Sequence, residues 1–125
     1  TSKSARQLVF EVLQAESRPL SAYVILDRLK KQGVRSPPIV YRALEKLLAD
    51  DSIHRVEQLN AYMACNQQHE HALSTITVCR DCKKTTELAD ESITRHLKQL
   101  KKMGVNITDH AVIELPVYCS GCGPH

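Results

Sequence analysis

Cys79 and Cys82 are separated by two residues, and so are Cys119 and Cys122. Each C-x-x-C pair can form a tight knuckle that aims two sulfurs at one point, and two knuckles complete a tetrahedron. Zinc accepts four thiolates without redox chemistry, and such a closed site leaves no coordination position for a substrate. The same spacing also permits two disulfides or free buried thiols. The N-terminal residues lack the charged, apolar, small-residue order of a signal peptide, so a reducing, cytoplasmic setting is expected, and that setting favours metal over disulfide.

The fifth cysteine, Cys65, stands outside this framework with His69 and His71 just downstream. His54 lies in the strand-like run IHRVE and Cys65 ends a second run, AYMAC, so pairing the two runs brings both residues to the hairpin end away from its turn. Glu87 follows Cys82 by five residues, on the strand leaving the first knuckle. One sulfur, imidazoles and a carboxylate make a plausible second zinc site, although each of these residues, taken singly, is more often an ordinary residue than a ligand.

The elements that must position these groups fall into two halves. In the first, SARQLVFEVLQAE carries Leu8, Val9, Val12 and Leu13 at helical spacing. Ser21 caps SAYVILDRLKKQG, with Ala22, Ile25, Leu26 and Leu29 as its stripe and Gly33 as its stop. RSPPIVYRALEKLLADD starts a third helix at Ser36 and two prolines, with Ile39, Val40, Ala43, Leu44, Leu47 and Leu48 facing inward. Tyr41, Arg42, Glu45 and Lys46 remain outside. The two hairpin strands follow, with Gln58 to Asn60 as the turn. Three helices and a hairpin is the order of a winged helix-turn-helix, whose third helix enters the DNA major groove. Tyr41, Arg42 and Lys46 then face DNA, unless they are solvated residues of an ordinary amphipathic helix.

The second half reads as β-β-α-β. STITVCR and KTTEL are strands around the first knuckle, and Asp90 can cap DESITRHLKQLKKMG, with Ile93, Leu97, Leu100 and Met103 as its core stripe. VNITDHAVIELPVYC is a long β segment into the second knuckle. The fold class expected is therefore α+β: a winged-helix unit followed by a small α/β unit with a four-thiolate metal site.

At 125 residues the chain holds one domain or two small ones. Its net charge of +3 is uneven: up to Glu57 there are ten Lys/Arg against seven Asp/Glu, and from Gln58 onward seven of each. A mild basic excess confined to the helical half is weak support for a polyanion partner. No apolar run approaches the roughly 20 residues of a membrane span. No G-x-S-x-G, H-E-x-x-H or H-x-E…P-C-x-x-C pattern is present, and a four-ligand site excludes bound water, so an enzyme with a small-molecule substrate is not expected.

Taken together, SAYVILDRL, PPIVYRALEKLL, IHRVEQLNAYMAC, HEH, CRDCKKTTEL and HAVIELPVYCSGC resemble the Fur (ferric uptake regulator) family of metal-responsive repressors over nearly the whole chain, and within it the zinc-responsive branch. The resemblance implies a DNA-binding domain over residues 1–66, a hinge at 67–72 and a dimerisation domain at 73–125. It implies a homodimer on a palindromic double-stranded operator, with Tyr23 and Arg42 at the bases. It further implies two zinc ions per subunit: a structural one on Cys79, Cys82, Cys119 and Cys122, and a regulatory one on His54, Cys65, His71 and Glu87. His69 is the alternative to His71, and His110 resembles a third metal position of some relatives. Iron-, manganese- or peroxide-responsive members are the rival reading; the soft sulfur of Cys65 argues for zinc. His96, on the helix, is expected to face solvent.

Overall fold

A computed structural model describes residues 3–65, 73–88, 91–108 and 111–123. The expectations for His69, His71 and His110, for the 67–72 hinge and for Asp90 as a cap lie outside these residues.

Helix α1 (Ala5–Gln14) opens on a capping box, in which the Ser4 hydroxyl accepts from Gln7 N and the Gln7 side chain accepts from Ser4 N. Helix α2 (Ala22–Lys30) begins with the Ser21 hydroxyl accepting from Val24 N. Past its end Gly33 takes φ +92°, the left-handed conformation open to glycine at little cost. Helix α3 (Pro37–Ala49) starts with its prolines in the first turn; Ser36 sits at the cap position but its side chain makes no capping bond. Leu8, Val9, Leu13, Ile25, Leu29, Val40, Leu44 and Leu47 close one aliphatic core.

Strands β1 (Ile53–Val56) and β2 (Ala61–Ala64) pair antiparallel, with Ile53 opposite Ala64 and His54 opposite Met63. A 3-10 turn, Glu57–Leu59, joins them, and Asn60 takes a left-handed φ of 48°. Leu20 exchanges both backbone hydrogen bonds with Tyr62, tying the α1–α2 connection to the hairpin. Successive side chains alternate between faces, so the hairpin is two-sided. Ile53 and Ala64 enter the helical core, whereas His54, Val56 and Met63 point the other way.

The second sheet has strand order β4-β3-β5, from β3 (Leu73–Cys79), β4 (Thr85–Leu88) and β5 (Ala111–Val117). β3 pairs antiparallel with β4 and parallel with β5. Its Ile76 and Val78 pack on Val56 and Met63 in a second core that therefore spans both halves of the chain. Between β4 and β5, α4 (Glu91–Leu97) tightens into a 3-10 segment, Lys98–Met103, ending at left-handed Gly104.

Four sequence expectations change. Residues 105–108, expected to open the last β segment, lie in no strand. Ile39 is 44% exposed rather than inward, because it falls in the first turn of α3, ahead of the buried stripe that begins at Val40. The single helix expected through Met103 divides in two. Met103, expected in its core stripe, is 76% exposed at the end of a six-residue 3-10 segment in which Leu100 is half-buried and no residue is fully buried.

Candidate functional site

The first site grows from two turns. Cys79 ends β3 and Lys83, at φ +67°, reverses the chain so that Cys79 N donates to Lys84 O at 2.9 Å. At the second knuckle Cys122 N and Gly123 N both donate to Cys119 O at 2.9 Å. Parallel pairing of Cys79 with Val117, and Arg80 N donating to Val117 O, set the knuckles side by side. The sulfurs of Cys79, Cys82, Cys119 and Cys122 all lie within 4.8 Å of one another, and Cys82 Sγ is 3.7 Å from Cys119 Sγ. A tetrahedron with zinc–sulfur bonds of roughly 2.3 Å has edges of about 3.8 Å, so the cage fits that ion.

The electrostatics agree. The amide of Cys119 aims at Cys79 Sγ at 3.5 Å, and with further backbone donors it lowers that thiol to about 6 despite burial. Cys82 is also lowered, chiefly by a backbone hydrogen bond from Lys84. Cys122 is raised to about 12 by hydrogen bonding with Cys119 and Cys79, because four neighbouring sulfurs cannot all ionise without a cation.

The second site lies on the far face of the hairpin. His54 Nε2 stands 3.2 Å from Glu87 Oε2, with both side chains almost fully buried, and Cys65 Sγ stands 3.4 Å from the same oxygen. Cys65 N donates to Ser52 O, which fixes the cysteine beside the start of β1. Tetrahedral zinc with ordinary bond lengths has edges of about 3.3 Å between nitrogen and oxygen and about 3.6 Å between sulfur and oxygen. The three donors present fit the ion, and His54, Cys65 and Glu87 come from β1, the end of β2 and β4.

The expected DNA-facing residues are exposed: Tyr23 on α2, and Tyr41, Arg42 and Lys46 on α3. His96 is exposed as well. Two contacts between the halves were not legible in the sequence. The Glu114 carboxylate on β5 accepts from the backbone amides of Glu57 and Gln58, and Arg18 Nε donates to Cys82 O at 2.8 Å. A lone acid in the apolar strand AVIELPV was the available signal for the first; an arginine in a polar loop gives none for the second.

The chain matches the sequence model of the ferric uptake regulator family over residues 2–115. It belongs to that family. The zinc uptake regulation protein of Escherichia coli (strain K12) is 33% identical over 118 residues, 91% of this chain and 68% of that protein. Among solved structures, a zinc uptake regulator complexed with zinc and DNA superposes with a TM-score of 0.84 at 32% identity, over 95% of this chain and 81% of that one. XcZur has been solved in two states. Its holo form superposes at 0.83 with 27% identity, over 95% of this chain and 84% of that one. Its apo form superposes at 0.50 with 26% identity, over 96% and 84%. The chain as a whole therefore superposes better on the holo form than on the apo form. No helix among the described residues is long and apolar enough to cross a membrane.

Proposed function

We propose that this chain is a zinc-responsive transcriptional repressor that binds a palindromic operator as a homodimer and controls zinc uptake genes in the cytoplasm. The convergence of His54, Cys65 and Glu87 carries the reading: three donors from both halves of the chain meet at zinc-like spacing across the junction. Residues 1–66 form the DNA-binding domain, 67–72 the hinge and 73–125 the dimerisation domain. His71, six residues after Cys65, supplies the fourth donor, with His69 as its alternate. The four-thiolate cage is a structural zinc site, giving two zinc ions per subunit.

Zinc in the sensor supplies a cross-link between β1, β2 and β4 that hydrogen bonds alone provide weakly. With the junction held, α3 presents Tyr41, Arg42 and Lys46 at a fixed angle, with Tyr23 beside them. In a dimer the two α3 helices then match major grooves about 34 Å apart. A loose junction samples other angles, and operator binding carries the ordering cost. The closer match to holo than to apo XcZur supports this coupling. The homodimer is supported by β5, an edge strand of the second sheet on which Leu115 is exposed, and by the exposed Val105 and Ile107 in the segment that precedes it.

The test is operator affinity measured by fluorescence anisotropy across buffered free zinc, for the wild type and Cys65→Ser. Wild-type affinity is expected to rise with zinc and the variant's response to be lost or moved to far higher zinc. An unchanged response in the variant rejects the sensor.

A further inference from the structure

Ile76 pairs with Glu87 on one side and Glu114 on the other, so the three residues form one row across the second sheet. Residues paired across neighbouring strands share a face, and here that face meets the hairpin. Its three points of contact differ in kind. Glu87 meets His54 and Cys65, the buried Ile76 packs with Val56 and Met63, and the Glu114 carboxylate closes on the 3-10 turn of the hairpin. Glu114 Oε2 accepts from Glu57 N at 2.5 Å and Oε1 from Gln58 N at 3.1 Å. These amides open a 3-10 turn, where backbone donors lack partners within the turn. An ionised carboxylate that accepts at both oxygens makes charge-assisted bonds, stronger than neutral ones.

We propose that Glu114 is a positioning residue, a metal-independent clamp that holds the hairpin on the second sheet and so sets the zinc concentration at which the sensor responds. The Glu87 contact gains its strength from a bound ion; the Glu114 contact needs only backbone amides, which are present at every zinc level. Only the closed junction assembles the sensor's donors, so apparent zinc affinity is the intrinsic affinity multiplied by the closed fraction. Removing the clamp lowers that fraction without touching a ligand. At saturating zinc the ion closes the junction unaided, so the final operator affinity stays near that of the wild type. Because the clamp grips main chain, side-chain changes at Glu57 or Gln58 leave it intact. The effects on zinc affinity and on DNA rest on the zinc-responsive reading above and its sensor site, whereas the contact of Glu114 with the two amides does not.

The experiment uses the full chain carrying its four-thiolate zinc, as wild type, Glu114→Ala and Glu114→Gln. Hydrogen exchange is read at the amides of Glu57 and Gln58, and sensor affinity by zinc–chelator competition without DNA. In Glu114→Ala those amides exchange faster and the free zinc for half-saturation rises about tenfold, equivalent to about 1.4 kcal/mol. Glu114→Gln keeps one acceptor oxygen and moves the same way by less, and retention of the four-thiolate zinc shows that both variants fold. Unchanged exchange, or faster exchange with unchanged zinc affinity in Glu114→Ala, overturns the clamp. So does an operator affinity reduced equally at all zinc levels, which marks a DNA contact or a damaged fold. If wild-type operator binding ignores zinc altogether, the regulatory reading fails, while hydrogen exchange still decides the contact.

Discussion

Replacing Glu87 with glutamine separates a metal ligand from a structural hydrogen-bond partner. The substitution keeps the side chain's size and an acceptor beside His54 and Cys65, but removes the anionic donor from a cluster whose other two visible atoms lie 3.2 and 3.4 Å away. In the sensor's zinc-free state the neighbours keep an amide partner, and the stability change stays within about 1 kcal/mol. With zinc present the difference is larger. At about 1,000 times the dissociation constant, mass action adds roughly 4 kcal/mol to the wild type. Even outer-shell substitutions weaken metal sites by up to about 100-fold, and at that loss the same zinc stands at about 10 times the variant's constant. The gain then falls to about 1.4 kcal/mol. For a chain of this size 1 kcal/mol moves the melting temperature by about 4 °C, so the zinc-dependent shift drops from about 16 °C to about 6 °C. The assay is calorimetric melting with and without added zinc, on protein that retains the four-thiolate metal. An undiminished shift in Glu87→Gln refutes the assignment of Glu87 as a ligand, and a variant that melts several kcal/mol below wild type before zinc is added refutes the isosteric argument.

Arg42→Ala is expected to weaken operator binding by about 1–3 kcal/mol and relax discrimination at one base, while Lys46→Ala lowers the salt slope by about one without changing sequence preference; anisotropy titrations on mutated operators distinguish the two. Loading zinc into the four-thiolate cage at pH 5 is expected to release four protons. At pH 7 it releases about three or fewer, because Cys79, lowered to about 6, has lost its proton before metal arrives, and calorimetry in buffers of different ionisation enthalpy counts them. The same lowered thiol contributes folded-state stability that is present above pH 9 and is lost as pH falls through 6. Ile76→Val removes one methyl from a fully buried position between the halves and is expected to cost about 1 kcal/mol by denaturant unfolding, with zinc affinity falling in parallel.

How much of this was legible in the sequence depends on the range over which each signal acts. The helices announced themselves through apolar stripes and caps that operate within a few residues, and Ser21 and Gly33 occupy the positions that local chemistry prefers. The two C-x-x-C knuckles were equally local. His54 and Cys65 required only the hairpin register, and Ile53 opposite Ala64 places them together. Glu87 entered as a candidate through its place on the strand leaving the first knuckle, and the resemblance to relatives then assigned it to the sensor, since nothing near it in the chain marks a buried carboxylate. Met103 misled because an apolar stripe states that a residue has an apolar partner without saying that the partner lies in the same chain. Glu114 escaped because its partners are main-chain amides, which leave no trace in side-chain identity. Its place in the row with Ile76 and Glu87 follows from a parallel pairing between strands 32 residues or more apart, which only the folded sheet supplies.

The central claim is that sensor occupancy, rather than the structural metal, governs DNA binding. Its most direct test counts zinc per chain and operator affinity in the same samples as a graded chelator strips the wild-type protein. Affinity is expected to fall as content drops from two equivalents to one, with the four thiolates still metal-bound at the end of that step. Full operator affinity at one equivalent, followed by loss only as the last zinc leaves, would contradict it.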